Sequence, residues 1–316
     1  MQSPRFKRWK RAARAAVLRF LVRLLMLLPL RVAFTAGAAL GRVGWLLAPR
    51  VRRQMRASLA LAFPELPPEE RDAIARESLV NLGKTAGEAI SMRRWANRLD
   101  DYVEAPPETV AVVQRAWDRR KGIIFVLGHI GNWELTRRLS RYVQPNAAIA
   151  KRSWHPSLDA LSERFRAEGG VQTFFREDPS TGRAMLRLFK QGGALGILID
   201  QDTNVQSVFV PFFGRLAATP RAAADFALRF DATVLVVTCH RRGPGASDGH
   251  RLEVTEVPFD PAPADREAEA VRLTAACAAV QEAAIRRYPT EWVWMHQRWK
   301  TRPTSEQAAP ALEQVR

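Results

Sequence analysis

Gly122-Ile123-Ile124-Phe125-Val126-Leu127, followed at once by Gly128-His129-Ile130-Gly131-Asn132-Trp133-Glu134, decides how the chain is read. A short, unbroken apolar run bounded by glycine reads as a strand buried on both faces. The polar segment after it places a histidine where the strand ends. A glutamate follows five residues later, where a helix over 133–143 is expected to begin. Further helix-like runs are 108–119, 156–168, 181–191 and 221–230. Strand-like runs are 147–150, 171–175, 194–200 and 234–239. This alternation predicts an α/β fold with a mostly parallel sheet flanked by helices. In such sheets ligands bind at the carboxyl ends of the strands, and His129 and Asp200 both fall there.

The flanks complete the outline. Ala62-Phe63-Pro64-Glu65-Leu66-Pro67-Pro68 is a turn-rich break before a long helix over 69–92. Gly83-Lys84-Thr85 within it resembles the tail of a phosphate-binding loop. Position 78 is Ser, not the required Gly, and no strand precedes, so that reading is rejected. An extra strand is expected at 252–257 and a late helix at 264–287. The tail from 304 to 316 is expected to be disordered.

Imidazole is the side chain best suited to take and return a proton near neutral pH, and a carboxylate can fix its tautomer. His129 and Glu134 are therefore a candidate catalytic dyad. Within one regular helix a five-residue separation would point them about 140° apart. The pairing thus needs His129 outside the helix, with Gly128 and Gly131 freeing the turn. N–H groups at the helix start are a further anion site. A structural histidine beside a surface glutamate is the equal alternative from these residues alone. No Gly-x-Ser-x-Gly elbow and no strand-borne Gly-x-Gly-x-x-Gly occurs, which speaks against a serine hydrolase or a dinucleotide enzyme.

The net charge of +17 is concentrated. Residues 1–56 carry fourteen Lys and Arg and no acid, which leaves only +3 for the rest. With no nucleic-acid-binding signature elsewhere, no nucleic-acid partner is expected. The same segment is apolar from Leu24 to Ala48, but Pro29, Arg31 and Arg42 interrupt it. A spanning helix needs roughly 20 mostly apolar residues, and mid-bilayer arginine is costly. The segment is expected either to span imperfectly or to lie in the interface. A first helix packed on a soluble core is the alternative. No clean signal-peptidase site follows the apolar stretch. Two cysteines, Cys239 and Cys277, and five histidines without ligand spacing predict neither a disulfide framework nor a metal.

Other clusters carry weaker signals. Asp200, Gln201 and Asp202 form an acidic and amide group at a strand end. Val208-Phe209-Val210-Pro211-Phe212-Phe213-Gly214 suits either a lipid-chain channel or, more simply, an aromatic core strand. Arg152, Arg166 and Arg176 are phosphate candidates, with a solvated surface residue the simpler reading of each one singly. Arg137, Arg138 and Arg141 either dock an acidic carrier protein or are simply surface. Trp292, Trp294 and Trp299 suit an interfacial belt, a ligand-facing wall or a packed carboxy-terminal element. His155 and His296 are read as structural.

In this order the motifs resemble the bacterial lipid A biosynthesis (late) acyltransferases, a branch of the lysophospholipid/glycerolipid acyltransferase superfamily. The likeness spans nearly the whole chain. It rests on the basic apolar amino terminus, Arg56-Ala57-Ser58-Leu59, Ala62-Phe63-Pro64, and His129 with Glu134 as His-x4-Glu. It also rests on Ile199-Asp200-Gln201-Asp202, Phe209-Val210-Pro211-Phe212-Phe213-Gly214, Ala218-Thr219-Pro220, and the run from Trp292 to Pro303. The resemblance implies an acyl-carrier-protein thioester as donor and a hydroxyl of a Kdo-bearing lipid A precursor as acceptor. It implies no cofactor and the cytoplasmic face of a bacterial inner membrane.

Carried over, His129 is similar to the family's general base and Glu134 to its orienting partner. An arginine downstream falls on Arg166 by ungapped spacing, with Arg176 as rival. Asn132 joins them as a candidate for the oxyanion or phosphate, and Asp200 resembles the family's strand-end aspartate. His155 stands where members often have Asn, which puts the acceptor contacts of that stretch in doubt. Three segments are expected: a membrane-anchoring 1–56, an α/β acyltransferase domain 57–303 and the tail. Transfer to another glycolipid, aminolipid or lysophospholipid is the alternative activity, and a non-catalytic membrane-peripheral binding protein a distant third.

Overall fold

The structure is a computed structural model that describes residues 27–91, 98–153 and 156–304. The expectations for the basic flank 1–26, for His155 and for the tail from 305 lie outside the described residues.

Seven strands form one sheet in the order β1-β9-β8-β2-β5-β3-β4. They are β1 (Val103–Glu104), β2 (Ile123–Gly131), β3 (Asn146–Ala150), β4 (Val171–Phe175), β5 (Ala194–Leu198), β8 (Thr233–Arg241) and β9 (His250–Glu256). β8, β2, β5, β3 and β4 run parallel; β9 pairs antiparallel with β8, and β1 lies parallel to β9. The expected mostly parallel α/β sheet is what the chain forms. Its central strands β2 and β8 are buried on both faces, as continuous apolar runs require.

Helices cover both faces. α5 (Pro107–Asp118) and a 3₁₀ segment (Trp133–Arg141) close one core, in which Val113, Leu135 and Leu139 meet Phe125 and Leu235. α7 (Thr181–Lys190), α8 (Ala222–Phe230) and α9 (Arg266–Arg287) close the other, in which Leu188, Ala227 and Leu273 meet Val126 and Val236. α6 (Pro156–Glu168) has the bounds read from sequence. The helix expected at 133–143 is wound as a 3₁₀ segment. Its N-cap residue, Asn132, gives it no side-chain cap; the amide Nδ2 donates to Glu88, an orientation that leaves Oδ1, the atom a cap would use, without a partner among the described residues.

A third core caps the sheet. The hairpin β6 (Ser207–Phe212) and β7 (Arg215–Pro220) turns at Phe213 and Gly214, both at positive φ, the geometry that a tight two-residue turn requires. Phe212 and Phe213 pack with Trp292, Trp294, Trp299 and Phe63. The aromatic run is therefore core, not a lipid channel, and the Trp-rich ending is a packed element rather than an interfacial belt.

Three helices precede the sheet: α1 (Leu30–Leu47), α2 (Pro49–Ala62) and α3 (Pro68–Ser91). A boundary at 56/57 falls inside α2. α4 (Leu99–Tyr102) is a short link to β1. α1 is long and apolar enough to cross a membrane. Its glycine face lies on α3: a Cβ on Gly37 would stand 2.1 Å from the carbonyl oxygen of Gly83, and one on Gly87 2.2 Å from that of Ala33. Small residues four apart on both helices let the backbones touch. This is what Gly83 is for. Away from that contact α1 leaves Val32, Leu40, Val43, Leu46 and Leu47 exposed.

Candidate active site

His129 does not sit in a free turn. From Leu127 to Gly131 the chain takes four steps along β2 while its partner β8 takes two, from Val237 to Cys239. The extra residues form a bulge, a device that re-aims a side chain at the end of a strand. It presents His129 at the carboxyl edge of the sheet with its side chain 20% exposed.

The residue that meets this imidazole is Asp200, just past the end of the neighbouring strand β5. His129 Nδ1 lies 2.8 Å from Asp200 Oδ1, and the His129 backbone N–H donates to Oδ2 at 2.6 Å. Trp292 donates its indole N–H to Oδ2 at 2.8 Å. Burial alone would raise the Asp200 pKa. The adjacent His129 and these N–H donors outweigh it and bring the carboxyl down to about 2. An ionised carboxylate at Nδ1 sets the proton there and leaves Nε2 as the basic nitrogen.

Glu134, expected to orient His129, is placed differently. Its carboxylate receives a fork from Arg166, with Nη2 at 2.7 Å from Oε1 and Nε at 3.3 Å from Oε2. No bond joins it to His129 among the described residues. The bulge turns the histidine toward β5, while the 3₁₀ segment turns Glu134 toward α6. Arg166, the arginine that ungapped spacing reaches, meets Glu134, whereas its rival Arg176 pairs with its neighbour Glu177.

Asn132, expected as an oxyanion or phosphate donor, is fully buried, and its amide donates to Glu88 at 2.9 Å. Gln201 Nε2 is 3.1 Å and 3.0 Å from the two ring nitrogens of His129, and 2.6 Å from His296 Nε2. A group equidistant from both ring nitrogens lies on neither in-plane lone pair. His296, read as structural, thus belongs to the site's surroundings, where burial and the adjacent His129 lower its pKa. Asp202 faces away and holds the carboxy-terminal segment, accepting from the backbone N–H of Thr301 at 2.7 Å.

The other arginine candidates have partners of their own. Arg137 is buried over the Phe165 ring and donates to the Phe165 carbonyl, and Arg138 and Arg141 both pair with Asp100. Of the three cations of the expected carrier-protein contact, Arg137 is buried, while Arg138 and Arg141 share one carboxylate and the Arg141 side chain stays 55% exposed. Arg152 lies over the Phe175 ring.

Beside the site a mostly apolar pocket opens between sheet and 3₁₀ segment. Phe125, Leu127, Leu139, Gly196 and Leu198 line it, together with both partners of the Glu134–Arg166 pair.

Residues 3–301 match the family described as bacterial lipid A biosynthesis acyltransferase. The chain belongs to that family. It is 25% identical over 283 residues to the lipid A biosynthesis lauroyltransferase of Escherichia coli (strain K12), covering 89% of each chain. To the palmitoleoyltransferase of the same organism it is 27% identical over 275 residues, covering 84% of this chain and 85% of the relative. To the phosphatidylinositol mannoside acyltransferase of Mycolicibacterium smegmatis it is 23% identical over 257 residues, covering 78% and 79%. As a member of the lipid A acyltransferase family it is an acyltransferase, and its histidine, aspartate, glutamate and arginine converge where a strand-end site is expected.

Proposed function

We propose that this acyltransferase moves a fatty acyl chain from an acyl-carrier-protein thioester to a hydroxyl of a Kdo-bearing lipid A precursor, with His129 as general base. The observation that carries the reading is the Asp200 carboxylate on Nδ1, which leaves Nε2 as the basic nitrogen of the partly exposed imidazole. His129 Nε2 removes the acceptor's hydroxyl proton, and that oxygen attacks the thioester carbonyl carbon. Asp200 stabilises the imidazolium. The carbonyl oxygen, now anionic, is received by Arg166 or by the N–H groups that the start of a helical segment leaves unpaired. When the carbon–sulfur bond breaks, the imidazolium returns its proton to the departing thiolate. The apolar pocket beside Glu134 and Arg166 suits the acyl chain.

The membrane is reached through α1, whose exposed leucines and valines lie outside its glycine contact with α3. The basic residues around it suit anionic lipid on the cytoplasmic face of an inner membrane. The same chemistry would serve another glycolipid acceptor, and the mycobacterial relative named for a phosphatidylinositol mannoside keeps that second reading.

The test is the lipid mass of cells lacking the protein, beside acyl transfer by the purified enzyme. A lipid A species lighter by one acyl group, and a His129→Ala enzyme slowed about 10²–10⁴-fold, are expected. An unchanged lipid A profile would move the assignment to the other acceptor. A fully active His129→Ala would remove the mechanism.

A further inference from the structure

Behind the catalytic bulge lies a buried polar cluster that the reaction itself does not use. Its hub is Glu88 on α3, fully buried. Arg241 at the end of β8 donates to both carboxylate oxygens, at 2.5 and 3.0 Å. Tyr102 donates to it at 2.6 Å and Asn132 at 2.9 Å, while His250 Nε2 lies at 3.1 Å. Burial opposes ionisation of such a carboxyl, but His250 and the Arg241 guanidinium hold it below the ordinary glutamate range.

Of these partners, Asn132 lies between His129 and Glu134. The cluster and the adjoining β8 grip the chain at Asn132 and at Gly131 before it. Asn132 N–H donates to the Cys239 carbonyl, and Thr85, itself bonded by Arg241, donates to the Gly131 carbonyl at 3.4 Å. Gly131 has φ +59°, and a Cβ there would stand 2.0 Å from the Cys239 oxygen, so β8 is pressed against this turn. On the outer side, Phe34 of α1 lies against the Arg241 guanidinium, 5.3 Å from ring centre to charge. An apolar filling would serve packing as well, since buried ion pairs add little net stability. What the carboxylate adds is direction: it fixes where the Asn132 amide points.

We propose that Glu88 is a positioning residue for acyl transfer, holding the turn between His129 and Glu134 through Asn132, with Arg241 fixing the carboxylate in place. This rests on reading His129 as the base. The full-length enzyme in detergent is assayed with a lauroyl acyl-carrier-protein thioester and a Kdo-bearing lipid A precursor. Glu88→Gln is expected to lower kcat about 10²-fold, the scale of a small misplacement of reacting groups. KM for both substrates should stay within about threefold, the signature of an interaction felt in the transition state.

Asn132→Ala is the second variant, because it cuts only the link to the turn and leaves the Glu88–Arg241 pair whole. It should show the same split, with a melting temperature close to that of the unaltered protein. Folded Glu88→Gln or Asn132→Ala enzyme with unaltered kcat, or with a raised KM alone, overturns the proposal. His129→Ala in the same assay separates the two readings. If it is inactive while both variants are normal, only the role of Glu88 falls; if it is fully active, the reading of the site falls.

Discussion

Asp200 holds His129 twice, by the backbone N–H at 2.6 Å and by Nδ1 at 2.8 Å, although the two residues stand 71 positions apart. One carboxylate thus fixes both where the bulge lies and which way the ring faces. Glu134, only five residues from the histidine, does neither; its carboxylate is taken by Arg166. Nearness in sequence pointed to a carboxylate that does not meet the ring, because the bulge turns His129 across the sheet to β5.

Asp200→Asn should therefore cost more than Glu134→Gln. The amide can still accept from the His129 backbone, but it carries no charge to stabilise the imidazolium. A loss of about 10²–10⁴-fold in kcat is expected. Glu134→Gln breaks the Arg166 fork and leaves Nδ1 untouched, so a smaller loss is expected. Steady-state rates of the two purified variants decide it. The reverse order would return Glu134 to the role of orienting partner.

The same carboxylate predicts a window of acid sensitivity. In the folded protein Asp200 titrates at about 2, below the ordinary aspartate value of 3.8. Its ionised form therefore adds stability that is fully present above about pH 4. That share is lost as pH falls through the folded value near 2. Melting temperatures measured from about pH 5 to pH 2 should drop less steeply for Asp200→Asn than for the unaltered protein. Parallel curves would show that Asp200 does not contribute in this range.

Close approach of α1 and α3 gives a third prediction. Gly37→Leu would drive a side chain into the Gly83 carbonyl, which a Cβ alone would already meet at 2.1 Å. Undocking α1 should cost about 1–3 kcal/mol, the usual range for overpacking. It should also lift Phe34 from Arg241. Thermal melts in detergent measure the loss. Leu40→Ala, on the exposed side, should leave the melt unchanged and instead weaken flotation of the protein with anionic vesicles. A destabilised Leu40→Ala would mean that this side of α1 is packed rather than free.

What could be read beforehand follows the range of each interaction. The strands and the sheet type were legible because β2, β5 and β8 are continuous apolar runs between glycines and polar ends. His129, Asp200, Glu134 and Arg166 could be named as candidates from their places at strand ends and in the motif order. Which carboxylate meets which cation was not legible, since that depends on strand order and on a bulge. Asn132 looked like an anion donor from its place at a helix start, and its burial depends on Glu88, 44 positions away. Glu88 itself was invisible, because one carboxylate in a long helix gives no sign in sequence of being buried. The Trp-rich ending was ambiguous for a similar reason: a Trp at a membrane surface and a Trp over a core have the same composition, and only packing against Phe212 and Phe213 separates them.

The pocket beside the site yields the last prediction. Gly196, on β5, leaves space in its lining: a Cβ there would touch Leu127 Cδ1 at 3.4 Å, which is contact rather than collision. Gly196 is also buried between β2 and β3 in a parallel sheet, where a β-branched side chain is well accommodated. Gly196→Val should therefore fold and shorten the pocket. If the acyl chain lies here, the preferred donor should become shorter. Each methylene that no longer fits should weaken transition-state binding by about 0.8 kcal/mol, roughly fourfold in kcat/KM. Competition among acyl-carrier-protein thioesters of graded length measures the shift. An unaltered length profile in a folded, active Gly196→Val enzyme would place the acyl chain elsewhere.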